Sequence, residues 1–193
     1  MMNKVILTDC DGVLLDWEHS FDRWAVSRGL SKKTTDEYCI AATYGTTSEA
    51  ADRLIEDFNQ SLYFAKLTPL RDAYKYVRKF YEDHGVVFHC VTSVGSDPMT
   101  VEARKENLDR VFGPGVFERV VCVGDGKRDA LSEYQNSYLP WVEDKVSNAE
   151  LGHELGLDSF LVHHDHNKSE QIRLMERGIR VVNGWREIYQ ALA

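Results

Sequence analysis

Apolar residues recur along this chain with two alternating rhythms. Short continuous runs, Val5-Ile6-Leu7, Val86 to Val91, Arg119 to Val123, Tyr138 to Val142 and Ser159 to Val162, have the length and β-branched character of strands buried on both faces of a parallel sheet. Between them the apolar positions fall at helical spacing. Leu70, Ala73, Tyr74, Val77, Phe80 and Tyr81 predict an amphipathic helix that Pro69 opens and Gly85 closes. Further helices are predicted from Met99 to Phe112, Ala130 to Tyr134, Asn148 to Leu155, Glu170 to Glu176 and Trp185 to Ala191, with another strand at Arg180 to Val182. Strands alternating with helices imply right-handed crossovers. The expected class is therefore α/β, a Rossmann-like parallel sheet with helices on both faces.

One stretch breaks the alternation. From Leu15 to about Lys66 the spacing is helical throughout: Trp17, Phe21 and Trp24 share one face, Leu54, Ile55 and Phe58 another, and Thr34 to Ala42 reads as a short helix between them. The expected organisation is an α/β core from residues 1–15 and 67–193 with a helical insertion at 16–66, larger than an ordinary strand-to-helix connection. The insertion carries eight aromatics, Trp17, Phe21, Trp24, Tyr38, Tyr44, Phe58, Tyr63 and Phe64. Helical spacing makes most of them a packing stripe. So small a unit cannot hide them all, and Trp17, Phe21 and Tyr44 are the ones read as facing a cleft, where a ring could stack on a substrate.

The totals narrow the picture. A chain of 193 residues supports one filled core with a modest insertion, and 43% hydrophobic with 28% charged residues is a globular composition. No run approaches the roughly 20 apolar residues of a membrane helix, and the first residues lack a signal-peptide pattern, so a cytoplasmic location is expected. Cys10, Cys39, Cys90 and Cys122 have no C-x-x-C spacing and read as reduced, packed thiols. A net charge of −8 argues against extended binding to a nucleic-acid backbone. A small anionic substrate stays open, because local charge can oppose the global balance.

Candidate chemistry sits where the strands end. In parallel sheets ligands bind beyond the carboxyl ends of the strands, and here those ends carry Asp9 and Asp11, Thr92 and Ser93, and Glu143 and Asp144. Taken alone, Asp9 and Asp11 also read as solvated residues of an Asp-Gly turn at Gly12. Matching polar ends on two later strands break that tie. If the first strand ran on to Asp11, both carboxylates would share a side and Cys10 would point into apolar packing. Carboxylates held so close repel unless a cation intervenes, and Mg²⁺, which takes few protein oxygens and keeps positions for phosphate and water, suits them. His163-His164-Asp165-His166 reads as a polar loop at the rim of the sheet rather than a compact metal site. Gly124-Asp125-Gly126 is too short to read as a phosphate loop.

Asp9-Cys10-Asp11-Gly12-Val13, Thr92 after an apolar strand, Lys127 in a loop and Glu143-Asp144 after another strand together resemble the four motifs of the haloacid dehalogenase superfamily. The insertion resembles the cap that many members place there. The Asp-Gly-Val-Leu continuation and the stretch Val181-Val182-Asn183-Gly184-Trp185-Arg186-Glu187-Ile188 look most like the 5'(3')-deoxyribonucleotidase branch. The resemblance implies a Mg²⁺-dependent phosphomonoesterase. Asp9 would be the nucleophile and Asp11 the general acid and base, while Gly12, Thr92, Ser93 and Lys127 would contact phosphate. Asp9, Asp144 and Asp11, the last through its carbonyl, would hold the metal with Glu143 behind them. Arg128 and Lys105 compete with Lys127, and Ser93 with Thr92. The implied substrate is a small phosphorylated metabolite, in the first place a nucleotide. Sugar phosphates, polynucleotide ends and a non-catalytic binding protein are the alternatives.

Overall fold

The computed structural model describes residues 4–35, 37–124 and 126–193. Asp36, within the predicted Thr34 to Ala42 helix, and Asp125, within the Gly124-Asp125-Gly126 turn, lie outside the described residues. Six strands are seen among those residues: β1 (Val5–Thr8), β2 (Val87–Ser93), β3 (Phe117–Val123), β4 (Pro140–Glu143), β5 (Asp158–Val162) and β6 (Arg180–Val182). All pair in parallel, in the order β3-β2-β1-β4-β5-β6. The chain winds outward from β1 in one direction and then, from β4, in the other. A crevice opens at such a reversal, beyond the carboxyl ends of β1 and β4.

The strands are apolar on both faces because both are covered. Ile6 packs with Phe80, Phe88, Trp185 and Ile188 on one side, whereas its neighbour Leu7 belongs with Val91, Leu131, Trp141 and Leu155 on the other. The helices that supply this cover are α4 (Ala73–His84), α5 (Pro98–Phe112), α6 (Arg128–Ser132), α7 (Val146–Glu154), α8 (Gln171–Glu176) and α9 (Trp185–Leu192). They are numbered after three that lie between β1 and α4: α1 (Trp17–Ser27), α2 (Ile40–Tyr44) and α3 (Ser48–Asn59), followed by a 3-10 turn at Phe64–Lys66. Among the described residues no helix is long and apolar enough to cross a membrane.

The helical stretch after β1 is held by its aromatics. Trp17 stacks on Phe21 at 4.6 Å between ring centres, and Phe58 meets Trp17, Phe21 and Trp24 edge-on at 5.1, 5.2 and 5.6 Å. Each such pair contributes roughly 0.5–1.5 kcal/mol beyond the area it buries. The way in and the way out run side by side, with Asp16 N–H donating to Thr68 O and Leu70 N–H to Leu14 O, both at 2.9 Å.

Most boundaries shift by one or two residues from the sequence reading, and three differences have a physical cause that matters here. The helix expected from Pro69 starts at Ala73, because Pro69 bridges Leu15 and Asp72 turns its carboxylate to the backbone N–H groups of Trp185 and Arg186, 3.0 Å from each. Tertiary capping of α9 wins over extension of α4. In the middle of the insertion, the helix near Thr34 to Ala42 is instead Ile40–Tyr44, closed by Gly45 in the left-handed region. Lastly, β1 stops at Thr8, so Asp9 to Asp11 form a turn rather than a strand.

Candidate active site

Backbone geometry sets the first motif. After β1, Asp9 N–H donates to Val142 O at 2.8 Å, which seats Asp9 beside the end of β4. The chain then coils back on itself, with the N–H groups of Leu14 and Leu15 both donating to Cys10 O. Gly12 sits at φ +70, and a Cβ there would overlap Asp144 Oδ2. Only glycine meets both demands. The turn is pinned from afar, for Trp185 Nε1–H donates to Val13 O at 2.9 Å and His164 Nε2 lies 2.7 Å from Gly12 O.

Lys127 lies in the middle of the acids. Only 1% exposed, its Nζ is 2.7 Å from Asp9 Oδ1 and 3.0 Å from Glu143 Oε1. Its competitors are elsewhere: Arg128 pairs with Glu154 at the surface, and Lys105 does not line the cavity. Burial works against the lysine's charge, but the two carboxylates outweigh it and raise its pKa. Glu143, at the end of β4, is wholly buried and has its oxygens engaged by Lys127, by Asn148 Nδ2 at 2.5 Å and by Asp144 N–H at 2.8 Å.

One ammonium among three buried acids is insufficient. Burial, reinforced by Glu143 for Asp9 and by Asp9 for Asp144, pushes both carboxyls up to about 7. Asp9, Glu143 and Asp144 can each present an oxygen within 4.8 Å of the others. Glu143 is saturated by its own partners, so Asp9 and Asp144 have lone pairs to give a cation, and a hard divalent ion that accepts few protein oxygens fits. A pH dependence follows. Each acid titrates near 3.8 in the unfolded chain but near 7 when folded, so its stabilising contribution is full below about 4 and is lost as pH rises through 7. Chelator-treated protein is therefore expected to melt lower at pH 8 than at pH 5. A divalent ion at a hundredfold its Kd adds about 2.7 kcal/mol, roughly 5–10 °C for a chain of this size, with the larger rise at pH 8. Melting curves with chelator and with Mg²⁺ at the two pH values check both signs.

Asp11 faces the same cavity from the other side. Its Oδ2 accepts from Arg104 Nη2 at 2.7 Å, and its Oδ1 is buried without a hydrogen-bond partner. Burial raises this carboxyl to about 6, against the pull of Arg104 and with the push of Asp9. Thr92, in β2, is buried with its Oγ1 also unpartnered, while Ser93 is exposed at the strand's end. Both line the cavity, which measures about 830 Å³ and is roofed by residues of the insertion. The site thus gathers a carboxylate beside an ammonium, a second carboxyl with a free oxygen, and a free hydroxyl. Together these can attack, neutralise and protonate a phosphoryl ester.

The remaining expectations divide. Trp17 and Phe21 both line the cavity, Trp17 with its indole N–H 3.4 Å from Asn59 Oδ1 and Phe21 buried behind the Trp17 ring. Tyr44 is not at the cleft: it packs edge-on against Phe21 and gives its hydroxyl to Asp22 at 2.5 Å. Tyr38, which the sequence reading did not single out, lines the cavity instead, 5.1 Å from the His166 ring and 5.1 Å from Lys145 Nζ, so it reaches from the insertion to the sheet side. Cys10 is buried as expected, though its Sγ is 3.1 Å from Arg104 Nη1 rather than in purely apolar surroundings. His163 to His166 line the cavity rim. His164 and His166 stack at 5.1 Å and, with Glu18, form a second group of metal-ligating type, but Lys32 already sits 2.6 Å from Glu18 and Gly12 O holds His164. Burial lowers both imidazoles, His164 to about 4.

Sequence reasoning missed Arg104, Lys145 and Arg71, the last lining the cavity while it donates to Asn183 O and His163 O, each at 2.8 Å. Arg104 carried a signal, since Thr100, Arg104, Asn107, Leu108 and Phe112 form the buried stripe of α5 and an arginine there requires a buried partner. Arg71 and Lys145 carried none, because their roles depend on loops meeting across the sheet.

No family model matches the chain. It is 28% identical over 165 residues to an uncharacterized 32.4 kDa protein of the Gp30-rIII intergenic region of Enterobacteria phage T4, an alignment that covers 80% of this chain and 58% of that protein. Among solved structures it is similar to a haloacid dehalogenase-like hydrolase from Streptococcus pneumoniae, with a TM-score of 0.70 and 11% identity over 98% of each chain. A predicted phosphatase from Clostridium acetobutylicum gives a TM-score of 0.65 and 17% identity over 99% of this chain and 98% of that one. A D,D-heptose 1,7-bisphosphate phosphatase from B. bronchiseptica, solved with magnesium and phosphate, gives 0.61 and 15% over 98% of each. The fold is the Rossmann-like α/β fold of the haloacid dehalogenase hydrolases, with its six-stranded parallel sheet.

Proposed function

We propose that this chain is a Mg²⁺-dependent phosphomonoesterase that works through an aspartyl-phosphate, with nucleotides as its substrates. The observation that carries the reading is the convergence of Asp9, Lys127 and Asp144 from three separate loops onto one cavity that also holds Asp11 and Thr92. In this reading an Asp9 oxygen attacks phosphorus and the ester oxygen leaves with a proton from Asp11. Asp11 then takes a proton from water, which attacks the phosphoryl group on Asp9 and releases inorganic phosphate. Lys127 donates an N–H to Glu143 and lies 2.7 Å from Asp9 Oδ1 as its ion-pair partner, which leaves its charge and remaining N–H groups for a phosphoryl oxygen beside the Thr92 hydroxyl. Asp9 and Asp144 would hold the metal, which supplies charge neutralisation and orientation for the phosphoryl group. The insertion acts as a cap over the α/β core, and a chain that works on free metabolites belongs in the cytoplasm.

The nucleotide assignment rests on the size and lining of the cavity. Its 830 Å³ greatly exceeds what a bare phosphate needs, and Trp17 and Tyr38 offer ring faces at its edge. A sugar phosphate is the second reading, favoured by the acids Glu18, Asp22 and Asp52 in the lining, whose oxygens would accept hydrogen bonds from sugar hydroxyls. With Mg²⁺, kcat/KM measured over 5'-nucleotides, deoxynucleotides and sugar phosphates separates the two. Nucleotides are expected to lead by tenfold or more, and Trp17→Ala to raise their KM severalfold with little change for sugars. Equal rates over the panel would remove the nucleotide assignment.

A further inference from the structure

Arg104 is the largest charged side chain buried completely in the protein, and it is spent on the first motif. It lies in the middle of α5. Its Nη2 donates to Asp11 Oδ2 at 2.7 Å, its Nη1 contacts Cys10 Sγ at 3.1 Å, and its guanidinium lies 4.4 Å over the Phe64 ring. Three residues further along the same stripe, Asn107 donates to Leu67 O at 3.1 Å, and Arg110 reaches that oxygen at 2.8 Å. Holding the return of the cap would not need a charge at position 104. Asn107 and Arg110 already do that, and an apolar side chain would pack on Phe64 without the cost of removing a guanidinium from water.

What only the guanidinium can do is fix the Asp11 carboxyl. By donating to Oδ2 it fixes the plane of a carboxyl that lines the cavity, with Oδ1 turned inward, buried and unpartnered. We infer that Arg104 is a positioning residue, which holds the Asp11 carboxyl in the one orientation beside the cavity from which it can protonate the ester oxygen of the departing group. The inference rests on the acid role given to Asp11 above. It makes a demand that packing alone does not, because an aimed proton donor matters in proportion to how badly the leaving group needs a proton.

The test compares an alkyl ester, a nucleoside 5'-monophosphate, with p-nitrophenyl phosphate, whose leaving group departs unprotonated. The readout is kcat/KM, which covers the steps through phosphoryl transfer to Asp9. Arg104→Met is expected to lower the alkyl value on the order of 100-fold, at the low end of what general acid catalysis contributes, and the aryl value less than about fivefold. In an Asp11→Asn background the same substitution should cost nothing further, and Arg104→Lys should recover part of the alkyl rate. Should Arg104→Met fail to fold, Arg104→Lys and the Asp11→Asn/Arg104→Met double variant, which removes both buried charges, carry the same contrast. Equal losses on the two esters, or losses that multiply in the double variant, would overturn the inference while leaving the phosphatase reading intact. Absence of turnover of either ester by the unmodified protein would overturn both.

Discussion

Asp9→Asn is expected to reduce phosphomonoester turnover by at least about 10⁴-fold, the scale on which loss of a nucleophile is felt, while the metal-free protein melts no lower than before. The two outcomes have one cause. Asp9 is buried against Glu143 and Asp144, and burial and repulsion hold its carboxyl at about 7, so its charge is a liability to the fold. An amide of the same shape removes the repulsion but cannot form an acyl phosphate. The expected pairing, lost turnover with retained or raised Tm in chelator, distinguishes a nucleophile from a structural residue. Residual activity above a few per cent would rule out the covalent route.

Lys127→Met should show the reverse balance, in which stability suffers first. The ammonium is the one cation within bonding distance of Asp9 and Glu143 among the described residues, and removing one partner of a buried ion pair costs about 3–5 kcal/mol. For a chain of this size that is a fall of roughly 10 °C or more in Tm. The loss should be greatest near pH 8 and shrink toward pH 5, because without the lysine the acids titrate still higher and protonation relieves them. Mg²⁺ should restore part of it. Thermal melts of the variant at pH 5 and pH 8, with and without Mg²⁺, read all of this, and a loss independent of pH would mean that Lys127 acts by packing alone.

The fold was legible because its signals are local. Val5-Ile6-Leu7 and Phe160-Leu161-Val162 read as strands from their continuous apolar character, and the stripe of α4 shows on its face. Boundaries were lost where distant groups decide them: nothing near Asp72 in the sequence tells that its carboxylate serves the start of α9 instead of α4. The site divides in the same manner. Residues at strand ends, Asp9, Thr92 and Asp144, could be marked from topology alone, since the winding of the sheet brings them to one crevice. Which aromatic of the insertion meets that crevice depends on how short helices pack, and so Tyr38 and Tyr44 were exchanged.

The hydrogen bond from Trp185 to Val13 joins residues 172 positions apart. On the ribosome, Asp9 and Asp11 emerge early, Asp144 far later, and the indole that steadies their turn later again. Until translation has passed residue 185 the nascent polypeptide has its acids but lacks the indole that holds the far side of that turn. The turn that carries Asp9 and Asp11 is therefore completed only at the end of synthesis, and a chain cut short ahead of that codon is expected to keep every acid while gripping the turn less firmly.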